Sequence, residues 1–159
     1  MKIELLADYP EFTEQVARWN FKAWPEHYSK SGFRFAMREA QQALSRASLP
    51  LSLVALENGR AAGTISVVSH DLPNRKDLSP WITSLYVAPE FRHKGFAKRL
   101  VDTALSHVRK LGFHNAYLWV EKNSDVYVHW GWKFVDETYF QNRHIHILKG
   151  DVDYLLQKT

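Results

Sequence analysis

The stretch Arg92-His93-Lys94-Gly95-Phe96-Ala97 has the residue types and spacing to hold an anion. It follows a segment rich in β-branched and aromatic residues, Trp81 to Val87, and the turn Ala88-Pro89-Glu90. Beyond it, apolar residues recur at Ala97, Leu100, Val101, Ala104, Leu105, Val108 and Leu111. That spacing predicts a helix with one buried face, stopped by Gly112. A short basic loop thus opens a helix, whose start has backbone N–H groups without partners and a partial positive charge. Gly95 admits close backbone approach, and Arg92, Lys94 and Lys98 add full charges. The chemistry is phosphate or pyrophosphate binding. Neither the Walker pattern nor the dinucleotide fingerprint Gly-x-Gly-x-x-Gly occurs. With no cysteine, a thiol nucleophile is excluded, and Ser84 has no adjacent histidine–acid pair to activate it. His144 and His146 would share one face of a strand, but no third ligand is evident nearby, so no metal site is expected.

Arg92-x-x-Gly95-x-Ala97 resembles the Arg/Gln-x-x-Gly-x-Gly/Ala loop of the GCN5-related N-acetyltransferase (GNAT) family. Its placement between a strand and a long helix strengthens the resemblance. Downstream, Tyr127-Val128-His129-Trp130-Gly131-Trp132 resembles the family's Tyr-x-x-x-Gly-Phe/Trp signature. The similarity covers roughly residues 50–150, and the first fifty residues follow it in outline. It implies a GNAT-like α/β (α+β) fold. That fold is a mixed, mostly antiparallel sheet of about seven strands, with a central parallel β-α-β crossover and helices on both faces.

The resemblance also implies an acetyl-CoA-dependent N-acetyltransferase. Acetyl-CoA would be the co-substrate and a primary amine of a small molecule or peptide the acceptor, attacking directly in a ternary complex. The pyrophosphate would lie on Arg92, His93, Lys94, Gly95, Phe96, Ala97 and Lys98, and the pantetheine arm along Leu85, Tyr86 and Val87, where the strands splay. A backbone N–H near Leu85 or Tyr86 would polarise the thioester carbonyl. Tyr127 would protonate the leaving thiolate, since a phenol is a neutral donor at pH 7. Many relatives place a glutamate on the fourth strand; Trp81 to Val87 has no acid. The general base is left among His70, Asp71, Glu121, His129 and water. Two other readings are a non-catalytic acyl-CoA-binding regulatory domain and an acetyltransferase acting on charged tRNA.

The elements that must position these residues follow from pattern. Strands are predicted at Lys2 to Leu6, Leu51 to Leu56, Arg60 to His70, Trp81 to Val87 and Asn115 to Val120. The resemblance adds a last hairpin, Trp132–Tyr139 and His144–Lys149, which matches the family's last two strands. Besides the helix after the basic loop, helices are predicted at Phe12 to Phe21, capped by Thr13 or Asp8, at Phe33 to Ala47, and at Ser124 to Trp130. Asn58-Gly59 marks a tight hairpin turn. The 159 residues fit a single domain over 1–159, with 45% hydrophobic residues enough for a core. The absence of cysteine and of an apolar leader or spanning run suggests a cytoplasmic protein without membrane contact. The net charge of +4 is in part explained by the loop, and nucleic-acid binding is not expected. Residues 22–34, the loop 71–80 and the tip Gln141-Asn142-Arg143 are where acceptor selection is expected. Exposed aromatics at Tyr139 and Phe140 would suit a homodimer contact.

Overall fold

The computed structural model describes residues 1–122 and 124–158. Its strands are β1 (Lys2–Leu5), β2 (Leu51–Glu57), β3 (Arg60–Val68), β4 (Trp81–Val87), β5 (Asn115–Val120), β6 (Lys133–Phe140) and β7 (Arg143–Asp151). Its helices are α1 (Thr13–Ala23), α2 (Pro25–Tyr28), α3 (Gly32–Gln42), α4 (Phe96–Lys110), α5 (Ser124–Trp130) and α6 (Val152–Gln157). The strands form one sheet in the order β1-β2-β3-β4-β5-β7-β6, with helices on both faces. Among the described residues, only β4 and β5 pair in parallel; the other neighbours are antiparallel.

The apolar stripe of α4 does what its spacing requires. Phe96, Leu100, Val101, Ala104, Leu105 and Val108 are buried in the main core with β2 and β3 residues such as Leu53, Ala62 and Ile65. Truncating Leu100 or Leu105 to alanine would cost about 2–5 kcal/mol, the usual loss for a large-to-small change in a packed core. The helix that positions the basic loop is therefore anchored firmly along its length.

Two irregularities in the sheet shape the site. Between β3 and β4 the register shifts between Thr64 and Ser66, and Ser84 takes a positive φ of 57°. This is a bulge, which bends the strand and releases a ladder group from pairing. Between β4 and β5 the registered pair is Trp81 with Tyr117, supported by Tyr117 N–H donating to the Pro80 carbonyl at 3.0 Å. Further along, Leu118, Trp119 and Val120 pair with β7 on their other side. The two parallel strands part after their first contact, as the family resemblance implied.

Several boundaries differ from the sequence reading. No side chain caps α1: Thr13 instead donates its hydroxyl to the Pro10 carbonyl at 2.7 Å, and Asp8 pairs with Arg46. The helix expected to reach Ala47 ends at Gln42. The Ala43 carbonyl there accepts the Ser52 N–H of β2, and Pro50 favours extended backbone before it. The strand β3 stops at Val68, leaving Ser69 and His70 exposed. The helix α6 was not expected; Asp151 caps it, accepting the Tyr154 N–H at 3.1 Å, while Val152 and Leu155 are buried.

Candidate active site

The β4–α4 connection builds one half of the site. After β4, Pro89–Phe91 forms a single 3-10 turn whose Phe91 packs edge-on to Phe96, 5.8 Å between centroids. Arg92 donates Nε–H to the Val87 carbonyl at 2.9 Å, and its guanidinium lies 5.7 Å from the Tyr86 ring. His93 (φ 65°) and Gly95 (φ 87°) then wind the chain so that α4 begins at Phe96. The first turn of α4 leaves the N–H groups of Phe96, Ala97 and Lys98 without helical acceptors. His93 and Lys94 are exposed beside them. Lys98 is less available than its position suggested, since Asp102 holds its ammonium at 2.7 and 2.8 Å. These residues could hold a pyrophosphate mainly through backbone N–H groups.

From this helix start a cleft of about 540 Å³ runs between the splayed strands. Ser84 and Leu85 line it from β4, Val120 from the end of β5 with Glu121 just beyond, and Ala97, Tyr127 and Trp130 from the helices. Tyr127 is held edge-on by Trp130 and Trp132, at 5.3 and 6.2 Å. Its hydroxyl makes no hydrogen bond among the described residues. Burial pushes its pKa up, so the phenol keeps its proton at neutral pH.

A second cavity, of about 460 Å³, opens beside the first, walled by α1, α2, α3, the ends of β3 and β5 and the middle of β4. Two carboxylates face it, Glu39 and Asp71. Glu39 accepts the Tyr28 hydroxyl at 2.7 Å and lies 3.4 Å from His27 Nε2. Burial opposes its charge, but hydrogen bonds from His27 and Tyr28 outweigh burial and keep its pKa below the ordinary value. The Glu39 contact in turn raises the His27 pKa, against burial. Asp71 accepts the Trp119 indole N–H at 2.7 Å. Burial raises the Asp71 pKa; Trp119, Thr83 and the nearby His27 charge oppose the rise without cancelling it. Asn20 is buried in the wall, and its side-chain oxygen lacks a hydrogen-bond partner among the described residues. The cation at the cavity edge, Arg143, is engaged by Glu121 at 3.2 Å and Glu26 at 3.6 Å. The interior is therefore acidic, while the α4 start is basic.

The two cavities share Trp24, Asp71, Thr83, Ser84, Trp119 and Arg143. Of the four candidate bases, Asp71 lies at this junction. His70 is on the exposed rim of the acidic cavity, its Nδ1 3.0 Å from the Ser69 carbonyl, and Glu121 is tied to Arg143. His129 is exposed on α5 and lines neither cavity, a correction for that candidate. Phe140 likewise is not free surface: it packs on Trp119 at 5.7 Å and lines the acidic cavity, whereas Tyr139 is 71% exposed. All three segments expected to select an acceptor contribute walls, through His27 and Tyr28, Asp71 and Pro73, and Gln141 and Arg143. Sequence reading missed Glu39, His27 and Asn20. A signal for Glu39 was present: it is the one acid of α3 and lies three residues from buried Ala36, beside the apolar stripe.

Splayed parallel strands beside a basic helix start, joined to an acidic chamber, set two cavities of opposite charge side by side. Residues 13–130 match the acetyltransferase (GNAT) family, and the chain belongs to that family of acyltransferases. No curated protein matches the chain by sequence. Similar solved structures include an aminoglycoside 6'-N-acetyltransferase complexed with coenzyme A, with TM-score 0.75, 16% identity, and coverage of 96% of this chain and 97% of that one. Another is the aminoglycoside 6'-N-acetyltransferase from Enterococcus faecium, at TM-score 0.73, 16% identity and the same coverage of 96% and 97%. A chimeric spermidine N-acetyltransferase from Vibrio cholerae and hSSAT gives TM-score 0.69 and 17% identity, covering 99% of each chain. At these identities the likeness is one of fold. No helix among the described residues is long and apolar enough to cross a membrane.

Proposed function

We propose that the protein moves an acetyl group from acetyl-CoA to a primary amine of a polycationic small molecule, in a ternary complex. The observation that carries this reading is the acidic cavity meeting the cofactor cleft at Asp71, Thr83 and Ser84. In this reading the pyrophosphate rests on the N–H groups of the first turn of α4, and pantetheine runs along Leu85 to Val87. The acceptor enters from the other side, with further ammonium groups near Glu39. Its nitrogen attacks the thioester carbonyl, whose oxygen is stabilised by a backbone N–H released at the bulge near Leu85 or Tyr86. The C–N bond forms and the C–S bond breaks. Asp71 takes the amine proton, directly or through water, and Tyr127 gives its proton to the departing thiolate. The solved structures named above include enzymes for aminoglycosides and spermidine, which are polycationic amines, and this fits the acidic chamber.

The test is release of free CoA, followed with a thiol reagent, across polyamines, aminoglycosides, simple monoamines and peptide amines. Polycations should exceed monoamines by about tenfold or more in kcat/KM, the equivalent of one modest charge contact. Glu39→Gln should remove most of that preference. Equal rates on monoamines and polycations would sink the substrate class. Acetyl-CoA binding without turnover on any amine would instead point to a regulatory domain.

A further inference from the structure

The β6–β7 hairpin carries a cluster that acetyl transfer does not use. His144 and His146 alternate along β7 with buried Ile145 and Ile147, so both imidazoles project from the opposite face. The third ligand that sequence spacing could not show comes from across the ladder: Glu137 on β6 is the registered partner of His146. One carboxylate oxygen, Glu137 Oε2, lies 3.0 Å from His144 Nε2 and 3.6 Å from His146 Nε2. The three ligand atoms all lie within 4.8 Å of one another. Ligands bound tetrahedrally at about 2.0–2.1 Å stand about 3.3 Å apart, so both contacts to Glu137 already bracket that spacing. The rings are held from outside as well. Tyr139 packs on His144 at 5.2 Å, Phe134 on His146 edge-on at 5.4 Å, and the two imidazoles meet edge-on at 5.3 Å.

We propose that Glu137, His144 and His146 form a binding site for a borderline divalent cation such as Zn²⁺, with its remaining positions open to water. Two imidazoles and a carboxylate suit zinc, nickel or copper rather than magnesium or calcium, which prefer all-oxygen sets. Partial exposure of all three ligands fits an open site rather than a closed structural one. The ion would clip β6 to β7 near the end of the sheet, a few residues from Phe140, Gln141 and Arg143, which line the acidic cavity.

Calorimetric titration of the untagged chain with zinc chloride tests this. One Zn²⁺ should bind per chain, and the melting temperature should rise with added zinc, because an ion that binds only the folded state stabilises it. His144→Ala, His146→Ala and Glu137→Gln should each weaken binding by about tenfold or more, at least the loss seen when a supporting outer partner is removed. His129→Ala, on exposed α5, should leave affinity unchanged. Because the three ligands are at the surface, circular dichroism should show each variant folded. No zinc binding by the wild type would overturn the site and leave a plain cross-strand contact. Undiminished binding by the His144→Ala/His146→Ala double variant would overturn it too.

Discussion

Burial moves Tyr127 and Asp71 in the same direction, upward, and the proposed chemistry uses that shift twice. For the phenol it keeps the proton in place until a thiolate forms; for the carboxylate it makes a better base than an exposed aspartate. Tyr127→Phe keeps the ring on Trp130 and Trp132 and breaks no hydrogen bond among the described residues. We expect nearly unchanged acetyl-CoA affinity by calorimetry and a kcat lower by about ten- to ten-thousand-fold, the range for one general acid. A wild-type rate under chemistry-limited conditions would make Tyr127 a packing residue. Asp71→Asn retains an oxygen for the Trp119 N–H but cannot accept a proton. It should remove the acidic limb of the kcat/KM profile, which in the wild type should lie above the ordinary aspartate value of 3.8. Stability carries a sign of its own here. The folded-state pKa is raised, so the ionised group opposes folding above that pKa and has no effect below the unfolded value. The asparagine variant should therefore melt no lower than wild type at pH 7, and the difference should vanish toward pH 3.8. A persistent acidic limb would hand the base role to His70 or water.

At the scale of elements, the proposed binding roles fall to the strand–loop–helix unit from β4 to α4 and to the α2–α3 pair. Gly95 has open space around it, yet its φ of 87° strains any other residue. Gly95→Val should distort the helix start and weaken acetyl-CoA binding by about tenfold or more, with the fold intact by circular dichroism. Arg92→Ala should weaken it less, about fivefold, because Arg92 is exposed and already donates to Val87. A larger loss for Arg92→Ala would make the side chain, not the backbone, the anchor. The β4–α4 unit was legible in sequence because a β-branched run, a glycine and a 3.6-residue stripe are local signals. The ends of α5 also match the reading, which was made beside the Tyr127 to Trp132 signature rather than from a buried stripe. The acidic chamber was not legible: His27, Glu39, Asp71 and Trp119 come from four separate segments, and only tertiary packing joins them. The short helix α6 has six residues, too few to show a helical period, so only its Asp151 cap marked it. The chamber has its own pH behaviour. The His27 pKa is raised, so below it a charged imidazolium engages Glu39 and, in the proposed reading, would compete with a substrate ammonium. Acceptor KM should climb as pH falls through a value above 6.5, and His27→Gln should flatten that climb while leaving acetyl-CoA affinity alone. An unchanged KM profile in His27→Gln would remove the pair from acceptor binding.

Across the whole molecule, charge and topology divide the labour between the two faces of the sheet opening. The basic helix start and the acidic chamber lie on opposite sides of a junction formed by Asp71, Thr83 and Ser84. In the proposed reading an anionic donor and a cationic acceptor would be drawn to different walls and would meet where β4 and β5 part. That arrangement favours direct transfer over a relay through the enzyme. A relay needs a nucleophile at the junction. The chain has no cysteine, and Ser84 has no hydrogen bond to a histidine among the described residues. Initial rates measured while both substrates vary should therefore give intersecting double-reciprocal lines, the mark of a ternary complex. Ser84→Ala should keep that pattern, since its hydroxyl carries no acyl group. The sharper measurement omits the acceptor. Acetyl-CoA alone should release no burst of CoA stoichiometric with enzyme, and mass spectrometry should show no added acetyl mass on the chain. Parallel lines together with a burst and an acetylated residue would mean that the two cavities are visited in turn, and Asp71 would then have to activate an enzyme nucleophile rather than the amine.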